Sequence, residues 1–234
     1  METYLENLKD VQEDDSLLSK AESKIAFNLV HKIFHLYLAL SVKANPFLQI
    51  RGRAFAREIS PKLMHAILEF RTCVYRKSNT NLLSSFQEAL EKSNLIDERS
   101  YHLVAYEKQA MKASMRLTPF PFELAYLESN VNLALNSYKN YLEVSRLLSL
   151  ESKRNSIRSL FFQAGLDALK MGYEGFVALC RPERVALLES FGLRVVKENI
   201  KIKSRPDSRY YIMAADFQQI SDACLDFYKK RKFF

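Results

Sequence analysis

The chain has 234 residues, 48% of them hydrophobic and 26% charged, with 16 Phe and 12 Tyr but no Trp. Those proportions exclude a disordered or fibrous chain and leave room for one large domain, or one domain with an appendage. A net charge of +8 and a pI near 9.3 favour acidic partners (nucleic acid, anionic lipid or an acidic carrier) without choosing among them. The surplus belongs to the rest of the chain, because Glu2, Glu6, Asp10, Glu13, Asp14 and Asp15 face only Lys9 at the start. Cys73, Cys180 and Cys224 lie far apart and are odd in number, which reads as reduced thiols in a cytoplasmic setting. The acidic start excludes a standard signal peptide, and the most apolar stretch, Phe34 to Val42, is too short for a membrane span.

Apolar residues from Leu17 to Leu38 recur at spacings of three and four and predict one long helix over 16–44. Asn45-Pro46 ends it, because a residue before Pro avoids the α region. Its wide stripe must pack on something: the domain itself, a second copy, or peripherally on a membrane surface. Residues 47–58 read as a strand. Ser60-Pro61 opens a helix through Val74, and a second is expected over 81–92. From Tyr101 the period becomes two, which gives a hairpin of strands 101–106 and 110–117 around Glu107-Lys-Gln109. Residues 118–140 are irregular, with Pro119, Pro121 and a candidate helix over 131–138. A strand over 141–150, a helix over 155–171 closed by Gly172, and a strand over 175–180 form a βαβ unit. Pro182 opens a helix ending at Gly192. A hairpin follows, in which Val196, Ile200 and Ile202 share one face and Lys197, Lys201 and Lys203 the other. Asp216 and Gln219 form the capping box of a last helix. This order makes the fold class α+β with a mixed sheet.

Four short motifs fall on these elements in order: Glu69-Phe-Arg71-Thr-Cys-Val-Tyr75, Asp97-Glu-Arg-Ser-Tyr-His102, Met115-Arg116-Leu117, and Glu143-Val-Ser-Arg146. With the element order they resemble the GNAT acyltransferase superfamily, and within it the N-acyl amino acid synthases and the acyl-homoserine-lactone (autoinducer) synthases. The likeness covers about Phe47 to Phe217. It implies a helical extension over 1–46 and an acyltransferase domain over 47–234.

Two departures refine what the resemblance implies. Acetyl-CoA-using members carry a glycine-rich turn before the central helix, where backbone N–H groups hold pyrophosphate. Here Glu151-Ser-Lys-Arg154-Asn-Ser-Ile-Arg158 has no glycine, which suits a phosphopantetheine arm presented by acyl carrier protein better than free acyl-CoA. Arg154 and Arg158 are then assigned to that arm. The superfamily's tyrosine general acid is replaced by Leu188, and the lactone synthases' N-terminal Trp is missing, which favours the amino acid branch.

The resemblance makes Glu143 the base for an amine and Arg146 its catalytic neighbour. Arg71, Tyr75, Asp97 and Arg116 shape the substrate site, and a backbone N–H near Leu147 or Leu148 receives the oxyanion. The expected reaction passes a medium or long fatty acyl chain from acyl carrier protein to an amino acid amine, with no tightly bound cofactor and no metal. Two alternatives remain: an autoinducer synthase, and a degenerate acyl- or protein-binding module. The same charges equally form a structural ion-pair network. His31 and His35 have zinc-pair spacing but lack the Glu and third ligand of a metalloprotease motif. His102 reads as a satisfied structural histidine and Cys180 as core. No nucleic-acid motif is present, so a nucleic-acid partner is not expected.

Overall fold

The computed structural model describes residues 26–40, 45–78, 95–124, 135–150, 155–202 and 205–231. The helix expected over 81–92 lies outside them, as do Arg154 and the first half of the candidate helix over 131–138. The described elements are helix α1 (26–40), β1 (Leu48–Phe55), α2 (Pro61–Ser78), β2 (Tyr101–Glu107), β3 (Ala110–Thr118), β4 (Tyr141–Ser149), α3 (Asn155–Lys170), β5 (Gly175–Cys180), α4 (Pro182–Glu189), β6 (Arg194–Ile202), β7 (Arg205–Asp216) and α5 (Phe217–Arg231). Short 3-10 turns occupy Ala56–Glu58 and Asn136–Tyr138.

Local chemistry sets several of these boundaries. The Ser60 hydroxyl accepts from the Leu63 N–H at 3.3 Å, with Pro61 at the first helical position of α2. At the end of α3, Gly172 takes φ +84°, and the Tyr173 N–H reaches back to the Ala168 carbonyl at 3.0 Å. Only a residue at ease with positive φ closes a helix this way. Asp216 and Gln219 cap α5 reciprocally, at 2.7 and 3.1 Å.

The seven strands form one mixed sheet in the order β1-β2-β3-β4-β5-β7-β6. All neighbours are antiparallel except β4 and β5, which the α3 crossover makes parallel. Their ladder is short, running from Tyr141 opposite Gly175 to Val144 opposite Ala178. Beyond Val144, β4 keeps its β3 neighbour while β5 stays with β7, so the sheet opens between its two middle strands.

Alternate residues point to opposite faces. Leu103, Met115, Leu117, Leu142, Val144 and Phe176 join Phe161, Phe162 and Phe191 in the main core. Helix α1 belongs to that core through Val30, Ile33, Phe34 and Tyr37. Phe34 is fully buried, edge-on to Phe217 at 6.0 Å between centroids. Gly165 makes room for it, since a Cβ there would lie 2.8 Å from the Phe34 ring. Of the three partners open to the helix from sequence, the domain itself is the one seen. A smaller apolar cluster of Phe122, Leu124, Leu135, Val177, Ile212 and Ala214 covers the other face of β5 and β7.

The β6 reading needs correction. Val196 is 45% exposed, whereas Val195 packs on the main core and Ile200 is buried on the opposite face. Register shifts on either side of Lys197, with Asn199 at φ +57°, break the alternation assumed from sequence. An extra residue in one strand moves every later side chain to the other face.

Candidate functional site

On the α2 face of the sheet, the strands β2 to β4 present polar side chains: His102, then Ser114, Arg116 and Thr118, then Glu143 and Ser145. Helix α2 lies over them and lowers Arg71 into the layer. Arg71 donates to both Asp97 oxygens at 2.9 and 3.1 Å, and Arg116 donates to the same carboxylate at 2.9 Å. Burial alone would push the Asp97 carboxyl up; the two guanidiniums outweigh it and hold it below the usual range. Arg71 also donates to His102 Nδ1 at 3.1 Å, and His102 Nε2 lies 3.0 Å from the Asp97 carbonyl. With an obligate donor at Nδ1, the ring is neutral and carries its proton on Nε2. Burial and Arg71 push its pKa down to about 4. His102 is thus the satisfied structural histidine read from sequence.

Glu143 lies one strand further on and is 2% exposed. Its Oε2 accepts from the Glu123 N–H at 2.5 Å and more weakly from the Leu124 N–H at 3.4 Å. Burial pushes its carboxyl up to about 7; Glu123 adds to the shift and Arg116 opposes it. Arg116 also donates through Nε to Ser145 Oγ at 2.9 Å. Arg146 donates to Glu123 at 2.9 Å and approaches the Tyr75 hydroxyl at 3.5 Å. Burial works against its charge, and the neighbouring Glu123 carboxylate more than restores it.

Arg146 marks a bulge. Between the pairs Ser114–Leu148 and Arg116–Ser145, β3 has one residue and β4 has two, and Arg146 takes φ +51°. The extra residue stands where β4 parts from β5. A bulge at a strand edge leaves backbone polar groups outside the ladder, where a ligand can use them. Leu147 and Leu148 lie just after it, with Leu147 packed on the main core. Two buried polar atoms of this face have no partner among the described residues: Arg71 Nε and Ser114 Oγ.

Of the residues expected from sequence, Arg71, Tyr75, Asp97, Arg116, Glu143 and Arg146 come together in one connected cluster. Arg158 lies apart, in the first turn of α3, where its charge reaches Cys224 of α5. Cys180 is buried and its thiol is pushed up to about 11, as suits a core residue. Glu123 was missed. It contacts Arg116 through one oxygen and Arg146 through the other. Its only sequence signal is being the single acid in Pro119-Phe-Pro-Phe-Glu-Leu124, with no periodicity to place it.

This geometry has counterparts among solved structures. An acyl-CoA N-acyltransferase from Pseudomonas aeruginosa superposes with a TM-score of 0.50 at 13% identity, over 71% of this chain and 97% of that one. FeeM, an N-acyl amino acid synthase from uncultured soil microbes, gives 0.55 at 11% identity, over 74% and 91%. A Desulfovibrio desulfuricans protein assigned to the GNAT family of acetyltransferases gives 0.52 at 11%, over 73% and 99%. No protein-family model and no curated relative matches the chain. At these identities the likeness is one of fold: the chain has the GNAT acyl-CoA N-acyltransferase fold. No described helix is long and apolar enough to cross a membrane.

Proposed function

We propose that the protein is an N-acyltransferase that moves a fatty acyl chain from a carrier-protein thioester to the amine of an amino acid or similar acceptor. The observation that carries this reading is Glu143, a buried carboxyl pushed up to about 7 beside a bulge at the opening of the sheet. An α-amino group has a pKa of about 8, so an acceptor must lose a proton before it attacks. A carboxylate poised near neutrality is matched to take that proton. The amine nitrogen then attacks the thioester carbonyl carbon. The C–N bond forms and the nitrogen gives up its second surplus proton to solvent; the C–S bond breaks, and the thiol leaves with the proton that Glu143 had taken. A backbone N–H of the β4 bulge, near Leu147 or Leu148, receives the oxyanion, and preorganised donors of this kind supply a large share of catalysis.

Arg146 sits beside the reacting atoms, and Arg71, Tyr75, Asp97 and Arg116 shape the floor beneath them. A carrier-bound donor is supported by the absence of glycine over 151–158, by Arg154 and Arg158 there, and by the net charge of +8 opposite an acidic carrier. The second reading, an acyl-binding module without turnover, draws on Leu188, which is buried in the core and offers no acid.

The test is mass spectrometry of reactions containing purified protein, carrier-bound acyl chains of several lengths and a panel of amino acids. An N-acyl product from wild type, reduced about 10²- to 10⁴-fold in Glu143→Gln, is expected. Co-purified acyl lipid with no product from any pairing would instead establish the binding module.

A further inference from the structure

Glu123 holds the charged cluster together from outside the strands. Phe122 and Leu124 on either side are buried in the smaller apolar cluster, and Arg99 ties the preceding turn by donating to the Pro119 carbonyl at 3.0 Å. The segment is therefore anchored, and Glu123 between its two apolar neighbours is turned toward the polar layer. It acts there in two opposite ways. Its backbone N–H donates to Glu143 and favours the carboxylate form. Its side chain, bridging Arg116 to Arg146, brings a second negative charge beside Glu143 and disfavours that form.

We propose that Glu123 is a positioning residue of this site: its backbone aims the Glu143 carboxyl, and its carboxylate clamps Arg116 to Arg146 and sets the proton affinity of Glu143. The catalytic meaning of that affinity rests on the acyltransferase reading above; the clamp itself does not. Among the described residues, the charged and titratable groups that face Glu143 or its partners are Glu123 itself, Arg116 from β3, Arg146 from β4, Arg71 and Tyr75 from α2, Asp97 from the turn before β2, and neutral His102 from β2. Beside Glu143 on β5 stands Val177, which is apolar. Among these, Glu123 is the acid that faces Glu143 most strongly, and Arg116 the cation.

Without the Glu123 carboxylate, the like charge beside Glu143 is gone and Arg116 still draws it toward the carboxylate form. The variant Glu123→Gln keeps the backbone donor and removes the charge. The Glu143 carboxyl carbon, assigned by its loss in Glu143→Gln, is followed by ¹³C NMR titration of the whole chain without substrate. In Glu123→Gln its midpoint is expected to fall by about one pH unit or more. Glu123→Asp, which keeps the charge, is expected to hold the midpoint nearer the wild-type value. Should Glu123→Gln fail to fold, Glu123→Ala removes the same charge without facing an amide toward the arginines, and the same fall is expected. An unchanged midpoint in the charge-deleted variant, or an equal fall in Glu123→Asp, overturns the proposal. Where N-acyl product forms, the acid limb of its kcat/KM profile is expected to move down with the midpoint. A moved midpoint with no product from wild type would sink the acyltransferase reading and leave the clamp standing.

Discussion

On the α3 face of the sheet, Phe161 lies flat on Phe191 at 4.5 Å and edge-on to Phe176 at 5.2 Å, in a layer closed by α1. Asp167, buried on α3, is met by Arg53 at 2.7 Å and by Tyr101 and Gln163. On the α2 face, one residue along the same strands, stand His102, Arg116 and Glu143. Asp167 and its partners apart, the first face stabilises by removing apolar surface from water, about 1.5–3 kcal/mol for a buried Phe. The second buries charges that each cost several kcal/mol to desolvate, and its ion pairs do little more than offset that cost. A layer of well-packed apolar residues would serve stability as well or better. The polar face is therefore where function is to be sought, and the dry face is what lets it exist.

Two substitutions test that contrast directly. Arg116→Met leaves Asp97 and Glu123 each with one arginine fewer and is expected to cost about 3–5 kcal/mol by chemical denaturation. Phe161→Ala on the dry face is expected to cost a similar amount, about 3–5 kcal/mol. Acid separates them. Asp97 is held below its ordinary pKa in the folded chain, so its contribution is present above the ordinary carboxylate range and lost as pH falls through the folded value. The Arg116→Met deficit should shrink in acid and the Phe161→Ala deficit should not. Equal behaviour would erase the distinction between the faces.

Glu143 gives the next largest effect, of opposite sign. Its folded pKa of about 7 lies above the unfolded value of 4.5, so the folded chain is favoured while the group stays protonated. As pH rises through 7 that advantage turns into a cost of about 3 kcal/mol relative to a neutral group. Glu143→Gln is therefore expected to stabilise the protein at pH 8 relative to wild type, with the gain fading toward pH 5. A variant less stable than wild type at pH 8 would mean that the buried carboxylate is not strained.

Smaller effects probe the edges of the comparison. Gly165→Ala pushes a Cβ against Phe34 and is expected to cost about 1–3 kcal/mol by thermal or chemical denaturation. A neutral result would mean that α1 shifts without loss and is not part of the core. Asp216→Ala removes one arm of the α5 capping box and is expected to cost about 1 kcal/mol, far from either face.

The strands, turns and caps were legible in the residues because their causes are local. Period-two alternation marked β2 and β3 as strands before any coordinates, and the structure sets Leu103, Met115 and Leu117 on the core face, apart from His102 and Arg116. Ser60-Pro61, Gly172 and Asp216 with Gln219 declared their ends through backbone chemistry that acts within four residues. Six charged or hydroxyl-bearing residues singled out by motif order on those elements lie together in the candidate site. What lay beyond reach depended on contacts distant in sequence. The β6 bulges shift Val196 into solvent because β7 and the two cores choose the register. Glu123 joins the site because the apolar residues beside it find β5 and β7, and nothing in its own neighbourhood says so. The raised pKa of Glu143 likewise arises from burial and from a charge 20 residues away in the chain. Sequence determined which residues form each strand and helix, since hydrogen-bond periodicity and capping are local. Only the tertiary structure decided which charges meet and how hard they hold their protons, since desolvation and Coulomb interaction depend on distance in space.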